Sequence, residues 1–238
     1  MGKLSSSQIK FIKSLSRSKE RDAAGVFVVE GEKMVDEALK SSFEVAAVYK
    51  RDDIGEETMG RISSLSTPSP VLAVVKKPLT PEKVSLPAKG LYLILDSVRD
   101  PGNLGTILRI CDWFGVDGIY ASSDTVDIYN PKVVQASMGA IFRVRFIYCD
   151  LPATLSAMRG RGIPVYGTFL EGDDIYKSSL TKGGVIVMGS ESNGIGPDVE
   201  ALVDRKLYIP PFPPEGTGSE SLNVAIATAI TCSEFRRR

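Results

Sequence analysis

The sequence predicts an α/β protein in two parts, a small α/β domain at residues 1–76 and, past a linker at 77–90, a larger α/β domain at 91–238 with a mostly parallel sheet. Three observations predict this. In the second part, short strand-like runs that are apolar on both faces alternate with helical segments, the pattern of a parallel sheet covered on both sides. Residues 76–90, KKPLTPEKVSLPAKG, place three prolines, four lysines and a closing glycine between two apolar strands, which marks a linker. The chain has 238 residues, 43% of them hydrophobic, enough to bury a sizeable core.

The elements follow in order. A first helix carries apolar Ile9, Ile12 and Leu15, and VFVVE at 26–30 reads as a strand. A second helix puts Met34, Val35, Ala38 and Leu39 on one face; EVAAVY at 44–49, a short helix and VLAVV at 71–75 complete the small domain. In the larger domain strands are expected near 91–95, 118–121, 144–148, 164–169, 185–188 and 206–209, and helices near 103–115, 131–139, 152–160, 197–203 and 221–236. Ligands of such sheets bind where strands end and helices begin.

Composition excludes much. The chain has no histidine, so a Ser-His-Asp or Cys-His nucleophile, a histidine general base and a histidine-ligated metal are all ruled out. Its chemistry must run on Arg, Glu, Asn, Ser and backbone groups. Three cysteines, Cys111, Cys149 and Cys232, are far apart with no CxxC pair, which indicates neither a zinc ribbon nor a disulfide framework and fits a reducing compartment. No run approaches the ~20 apolar residues needed to span a bilayer, so the expectation is a cytoplasmic protein with no membrane and no metal partner. The 29 basic residues balance 29 acidic ones. Yet residues 1–21 hold Lys3, Lys10, Lys13, Arg17, Lys19 and Arg21 against Glu20 alone, and the chain ends in three arginines. A neutral protein with that distribution still carries a basic face.

Three apolar strands break abruptly into polar loops. Asp100-Pro101-Gly102-Asn103-Leu104-Gly105 leaves the strand at 91–95 and enters a helix, with Asn103 suited to an N-cap and Arg109 six positions further on. Gly189-Ser190-Glu191-Ser192-Asn193-Gly194 leaves a second strand ahead of Pro197, a residue suited to a first helical turn. Ser221-Leu222-Asn223 opens the last helix, Ser221 with an N-cap reading and Asn223 with a first-turn one. Each loop has a plain structural explanation. Three such explanations at three strand ends are less economical than one shared site.

These segments resemble the three signature motifs of the SpoU-type (TrmH-like) RNA ribose 2′-O-methyltransferases of the SPOUT superfamily: Asn103 with Arg109; Gly189, Glu191 and Gly194; and Ile209-Pro210 followed by Ser221-Leu222-Asn223. The run from Pro131 to Ala140 resembles the segment such enzymes carry between the first two motifs. Residues 4–75, with Gly25-x-Phe27 and Glu30-Gly31, resemble more weakly the small substrate-binding domain that many of them place in front.

The resemblance implies an α/β knot, a deep trefoil threaded by the C-terminal segment, acting as a homodimer through that domain with S-adenosylmethionine as cofactor and structured RNA as substrate, ribosomal rather than transfer RNA given the front domain. It implies that Thr168, Phe169, Leu170, Gly189, Ser190, Glu191, Gly194, Ile209, Pro210, Ser221, Leu222 and Asn223 bind the cofactor. It assigns chemistry to Arg109, Asn103, Glu191, Ser221 and Asn223. A guanidinium stays protonated, so Arg109 is expected to act electrostatically on the 2′-hydroxyl and its phosphate. Lys10, Lys13, Arg17, Lys19 and Arg21, together with Arg109, are the expected RNA contacts. Two departures stand out: the loop from Ile209 to Leu222 is long and proline-rich, and Gln135 stands where related sequences often have a basic residue. The rivals are a non-catalytic RNA-binding or assembly protein of the same fold and a nucleotide-dependent oxidoreductase, the latter disfavoured by the missing GxGxxG.

Overall fold

The computed structural model describes residues 4–78, 90–213 and 220–237. Most of the expected linker, residues 214–219 of the proline-rich loop, Lys3 and Arg238 lie outside the described residues. In chain order the elements are α1 (Ser6–Ser14), α2 (Ser18–Ala24), β1 (Val26–Glu30), α3 (Glu32–Lys40), β2 (Val45–Lys50), α4 (Arg51–Ile54), α5 (Glu56–Ile62), β3 (Val71–Lys76), β4 (Leu91–Leu95), α6 (Pro101–Trp113), β5 (Gly118–Ala121), α7 (Pro131–Ser137), a 3-10 turn (Ala140–Phe142), β6 (Phe146–Tyr148), α8 (Leu151–Arg159), β7 (Val165–Phe169), β8 (Asp173–Asp174), β9 (Gly184–Met188), α9 (Pro197–Glu200), β10 (Arg205–Tyr208) and α10 (Val224–Arg237). They form two compact units: Met1–Thr80 with Asp127–Arg143, and Pro81–Val126 with Val144–Arg238.

The first unit is a three-stranded antiparallel sheet, β1-β3-β2, with helices against it. Helix α1 starts at a capping box, Ser5 accepting from the Gln8 amide while the Gln8 side chain takes the Ser5 N–H. It buries Ile9 and Ile12, with Leu15 just beyond its last turn. Helix α3 buries Met34, Val35 and Ala38, but Leu39, expected on the same face, is exposed. The segment Asp127–Arg143 belongs to this unit although it lies between two loops of the second in sequence. It is held by rings: Phe27 stacks obliquely on Tyr129 at 4.7 Å, and Phe142 meets Phe43 edge to face at 5.2 Å.

The second unit carries a seven-stranded sheet in the order β6-β5-β4-β9-β7-β10-β8, every pair parallel. Strands β4 and β9 are buried at every position, as strands covered on both faces must be. One face packs Tyr92, Ile94, Val185 and Val187 against Leu151, Leu155 and Met158 of α8 and Val199 of α9. Helices α6 and α10 pack together, burying Leu104, Ile107, Leu108 and Cys111 of one and Val224, Cys232 and Phe235 of the other. The two-residue edge strand β8 was not expected from the sequence.

Arg236 ties the last helix to α6: its Nε donates to the Phe114 carbonyl at 2.7 Å and a second nitrogen to that of Gly115. The first is the carbonyl of the α6 C-cap, which has no partner within the helix, and the second lies one residue beyond it. Arg237 pairs with Glu234, so both described members of the terminal arginine run are engaged inside the unit.

Candidate active site

Strands β4, β9, β7 and β10 are consecutive parallel neighbours, so their carboxyl ends lie along one edge. The three polar loops leave from that edge.

The first loop is fixed from its base. Asp96 directly follows β4, almost buried, and its Oδ2 accepts the Gly196 N–H at 2.7 Å, tying the first loop to the second. Ser97 follows at φ 60, its N–H held by Ser122 Oγ at 2.8 Å. Asp124, bonded by Arg99 at 2.9 Å and by Ser122 and Ser97, has its carboxyl pulled down to about 2 by those donors, the Arg99 guanidinium first. Asp96 and Asp124 were not singled out in the sequence. An acid closing an apolar strand was the only signal for Asp96.

The helix caps differ from expectation, and the difference matters. Asp100, not Asn103, caps α6: its Oδ1 accepts the Asn103 N–H at 2.8 Å and Pro101 fills the first helical position. Helix α10 starts at Val224 with Asn223, not Ser221, as its cap, Asn223 Oδ1 accepting from Ala225 N at 3.0 Å and Ile226 N at 3.3 Å. Asn103 is thereby free to use its side chain elsewhere. Its Nδ2 donates to Glu191 Oε1 at 2.5 Å and its Oδ1 accepts from Asn223 Nδ2 at 2.9 Å. One residue from each loop is thus joined in a single chain of hydrogen bonds.

The second loop is closed by Ser190 and Gly194, which exchange backbone hydrogen bonds at 2.9 and 3.0 Å, while Ser190 Oγ accepts the Asn193 N–H. Gly194 sits at φ 65, and a Cβ on Gly189 would lie 2.1 Å from the Gly194 carbonyl carbon. Only glycine fits at 189. Next to it, β7 ends in Thr168 and Phe169 and β10 ends just before Ile209 and Pro210, paired in register through Phe169 and Tyr208. Thr168 Oγ1 donates to the Val187 carbonyl at 3.2 Å, Lys206 lies over the Phe169 ring at 4.7 Å, and Leu170 is exposed.

Arg109 and Ser221 stand outside the Asn103 chain. Arg109 is exposed on α6, and its side chain, like that of Ser221, makes no hydrogen bond or ion pair among the described residues. A cleft of about 350 Å³ opens beside the loops, lined by Asp96, Ser122, Cys149, Asp150 and Gly196; none of the residues predicted from the sequence lines it.

Of the expected RNA contacts in the first unit, Lys10, Lys13, Arg17 and Lys19 are exposed. Arg21 is not: it is 2% exposed, with Nη1 donating to the Leu15 and Ser16 carbonyls and Nη2 to Asp127 at 2.5 Å. Its charge is spent holding the Asp127–Arg143 segment, which corrects the reading of it as an RNA contact.

The chain matches two family descriptions in sequence order: the MRM3-like substrate binding domain over residues 6–80 and the SpoU rRNA Methylase family over residues 90–233. It is 30% identical to the Bacillus subtilis 23S rRNA (guanosine(2553)-2′-O)-methyltransferase RlmP, with 96% of each protein aligned. Among solved structures it is similar to a TrmH-family protein from Porphyromonas gingivalis, at 41% identity and a TM-score of 0.89 over 99% of both chains. It is also similar to an AdoMet-bound rRNA methyltransferase from Sinorhizobium meliloti, at 28% identity and a TM-score of 0.88 over 100% of this chain and 97% of the other. With the motif residues of three loops gathered at one sheet edge and the match running through them, the chain belongs to the SpoU rRNA Methylase family.

Proposed function

We propose that the protein transfers a methyl group from S-adenosylmethionine to a ribose 2′-hydroxyl of ribosomal RNA. The observation that carries this reading is the hydrogen-bonded chain Glu191–Asn103–Asn223, which unites the three motif loops at the ends of β4, β9 and β10. The relatives support it: RlmP is named as a 23S rRNA 2′-O-methyltransferase, and the Sinorhizobium meliloti structure is described as AdoMet-bound.

The residues present fit the cofactor. Three neighbouring strand ends offer Thr168 to Leu170, Gly189 to Ser190 and Ile209 to Pro210 side by side, and the absence of a side chain at Gly189 keeps the loop tight enough for backbone groups to reach a ligand. When bound, S-adenosylmethionine supplies an electrophilic methyl group. This chain's residues then have to align the 2′-oxygen and stabilise the charge it develops. Glu191 gives one oxygen to Asn103; the other has no partner among the described residues and accepts from the ribose. Arg109 clamps the adjoining phosphate and stabilises the alkoxide, while the proton leaves to phosphate or water, since a guanidinium does not take it.

The first unit holds the RNA through Lys10, Lys13, Arg17 and Lys19, and the second does the chemistry. The C-terminal segment is threaded as a knot, a reading supported by family membership and by late strand β9 lying between β4 and β7. The dimer forms through α6 and α10, whose outward faces leave Trp113 at 85% and Ile226 at 51% exposure. Arg109, one turn from Trp113, lies on that face and serves the partner's site. No described helix is long and apolar enough to cross a membrane; the three free cysteines support a cytoplasmic setting.

The test is calorimetry with S-adenosylmethionine beside methyl transfer to ribosomal RNA lacking the modification. Saturable binding by a dimer with 2′-O-methylation is expected. Arg109→Ala should keep cofactor affinity and lower turnover by about 10²–10³-fold, the usual cost of one preorganised donor; wild-type turnover in that variant would remove Arg109 from the mechanism.

A further inference from the structure

We infer that the α1–α2 end of the first unit holds an unpaired RNA nucleotide by stacking its base on Phe11. This rests on the RNA-methyltransferase reading and adds to it a place for nucleotides other than the one methylated. Phe11 lies off the stripe by which α1 packs, which consists of Ile9, Ile12 and the following Leu15, and the residue is 46% exposed. A lone exposed phenylalanine needs no explanation. Its company does: a shallow depression of about 600 Å³ surrounds it, lined by Lys10, Lys13, Ser14, Arg17 and Glu20.

The charge around the ring favours a polyanion. Glu20 is its only acid and is paired with Arg17 at 3.3 Å, whereas Lys10 and Lys13 have no ion pair among the described residues. An aromatic face rimmed by free ammonium groups matches a base carrying its own phosphate. A duplex cannot use it, because paired bases are already stacked on one another and expose only their edges and backbone. The serines add a preference for ribose. Ser14 and Ser16 donate their hydroxyl protons to the carbonyls of Phe11 and Lys13, which leaves lone pairs as acceptors, and a 2′-hydroxyl is the donor that DNA lacks.

The experiment uses the full chain and fluorescence anisotropy with labelled hexauridylate, its deoxy counterpart and a blunt RNA duplex. Phe11→Ala is expected to weaken hexauridylate binding about tenfold, the typical loss of one stacked base, with duplex and cofactor affinities unchanged. Lys10→Ala and Lys13→Ala should flatten the salt dependence, which Phe11→Ala should not. Phe11→Trp should keep the affinity, and its emission should be quenched by hexauridylate, with the wild type, whose sole tryptophan is Trp113, as the reference. Equal binding by Phe11→Ala and the wild type, or an unquenched Phe11→Trp, would overturn the inference alone. A wild-type protein that binds cofactor but no RNA would overturn it together with the RNA-substrate reading.

Discussion

Asn103 gives its amide nitrogen to Glu191 and its amide oxygen to Asn223, and that polarity is dictated from both ends. A carboxylate only accepts, so Glu191 must face the Asn103 nitrogen. At the other end the Ala225 and Ile226 N–H groups claim the Asn223 oxygen, so Asn223 must turn its nitrogen towards Asn103. Every donor meets an acceptor in one direction, from the α10 terminus to the Glu191 carboxylate, and such chains strengthen cooperatively.

Asn223→Asp separates the two tasks of that residue. Aspartate caps a helix as well as asparagine does, so thermal stability should stay near wild type, yet it cannot donate to Asn103. The expected outcome is a folded protein with turnover lowered at least tenfold. Asn223→Ala should in addition lose about 1 kcal/mol of stability with the cap. Wild-type turnover in Asn223→Asp, measured beside a melting curve, would reduce Asn223 to a cap.

Gly189→Ala tests the second loop without touching a polar group. The new Cβ would sit 2.1 Å from the Gly194 carbonyl carbon, a backbone atom that cannot swing aside, so the Ser190–Gly194 closure must open. Overpacking of this kind costs about 1–3 kcal/mol. We expect a folded protein with cofactor affinity reduced at least tenfold by calorimetry, and unchanged affinity would remove the loop from the cofactor site.

The parallel sheet was legible because β4 and β9 are apolar at every position, which only a strand covered on both faces tolerates. The first two loops were legible because each leaves such a strand, and the third because it follows the apolar run that begins at Leu207, within a β10 that is itself buried only at that residue. What joins them was not: Asn103 and Asn223 are 120 positions apart, and their local readings were exchanged, Asn103 read as a cap but lying in the first turn and Asn223 read as a first-turn residue but serving as the cap. The attachment of Asp127–Arg143 to the first unit was equally hidden, since it rests on Phe27 meeting Tyr129 and on Arg21 reaching Asp127. Local charge counted Arg21 with the basic face, and burial depends on partners that no local pattern names.

Arg21 therefore predicts a stability phenotype rather than a binding one. Arg21→Ala takes the cation from Asp127, which keeps the Ser18 hydroxyl and the Tyr129 N–H, and leaves the Leu15 and Ser16 carbonyls without their donor, a loss of about 1–3 kcal/mol, the cost of unsatisfied buried polar groups. Denaturant unfolding should show it. At a temperature where the variant is folded, the salt slope of RNA binding should match the wild type, whereas Lys13→Ala should reduce the slope and leave stability alone.

Asp124 gives the first loop an acid limit. Its donors, Arg99 first, hold the folded carboxyl at about 2, below its ordinary value of 3.8. A depressed acid contributes stability that is complete above the unfolded value and is lost as pH falls through the folded one. The stability difference between wild type and Asp124→Asn should therefore be constant at neutral pH, shrink below about pH 4 and vanish near pH 2. A difference that instead varied between pH 6 and 8 would show that another group governs this turn.

The placement of Arg109 on the outward face of α6 predicts complementation between two inactive variants. If the chain forms the proposed dimer, co-expressed Arg109→Ala and Asn223→Ala chains should give mixed dimers in which one site combines the intact Asn223 of the first chain with the intact Arg109 of the second. The other site lacks both residues. With random pairing half of the dimers are mixed and half of their sites work, so activity should recover to about a quarter of wild type if each arginine serves its partner. If Arg109 acts within its own subunit, every site in every dimer carries a lesion and the mixture stays as inactive as its components. Recovery on mixing therefore assigns the arginine to the opposite subunit and makes assembly a condition of catalysis, while its absence, with dimers confirmed by mass, assigns it to the same one.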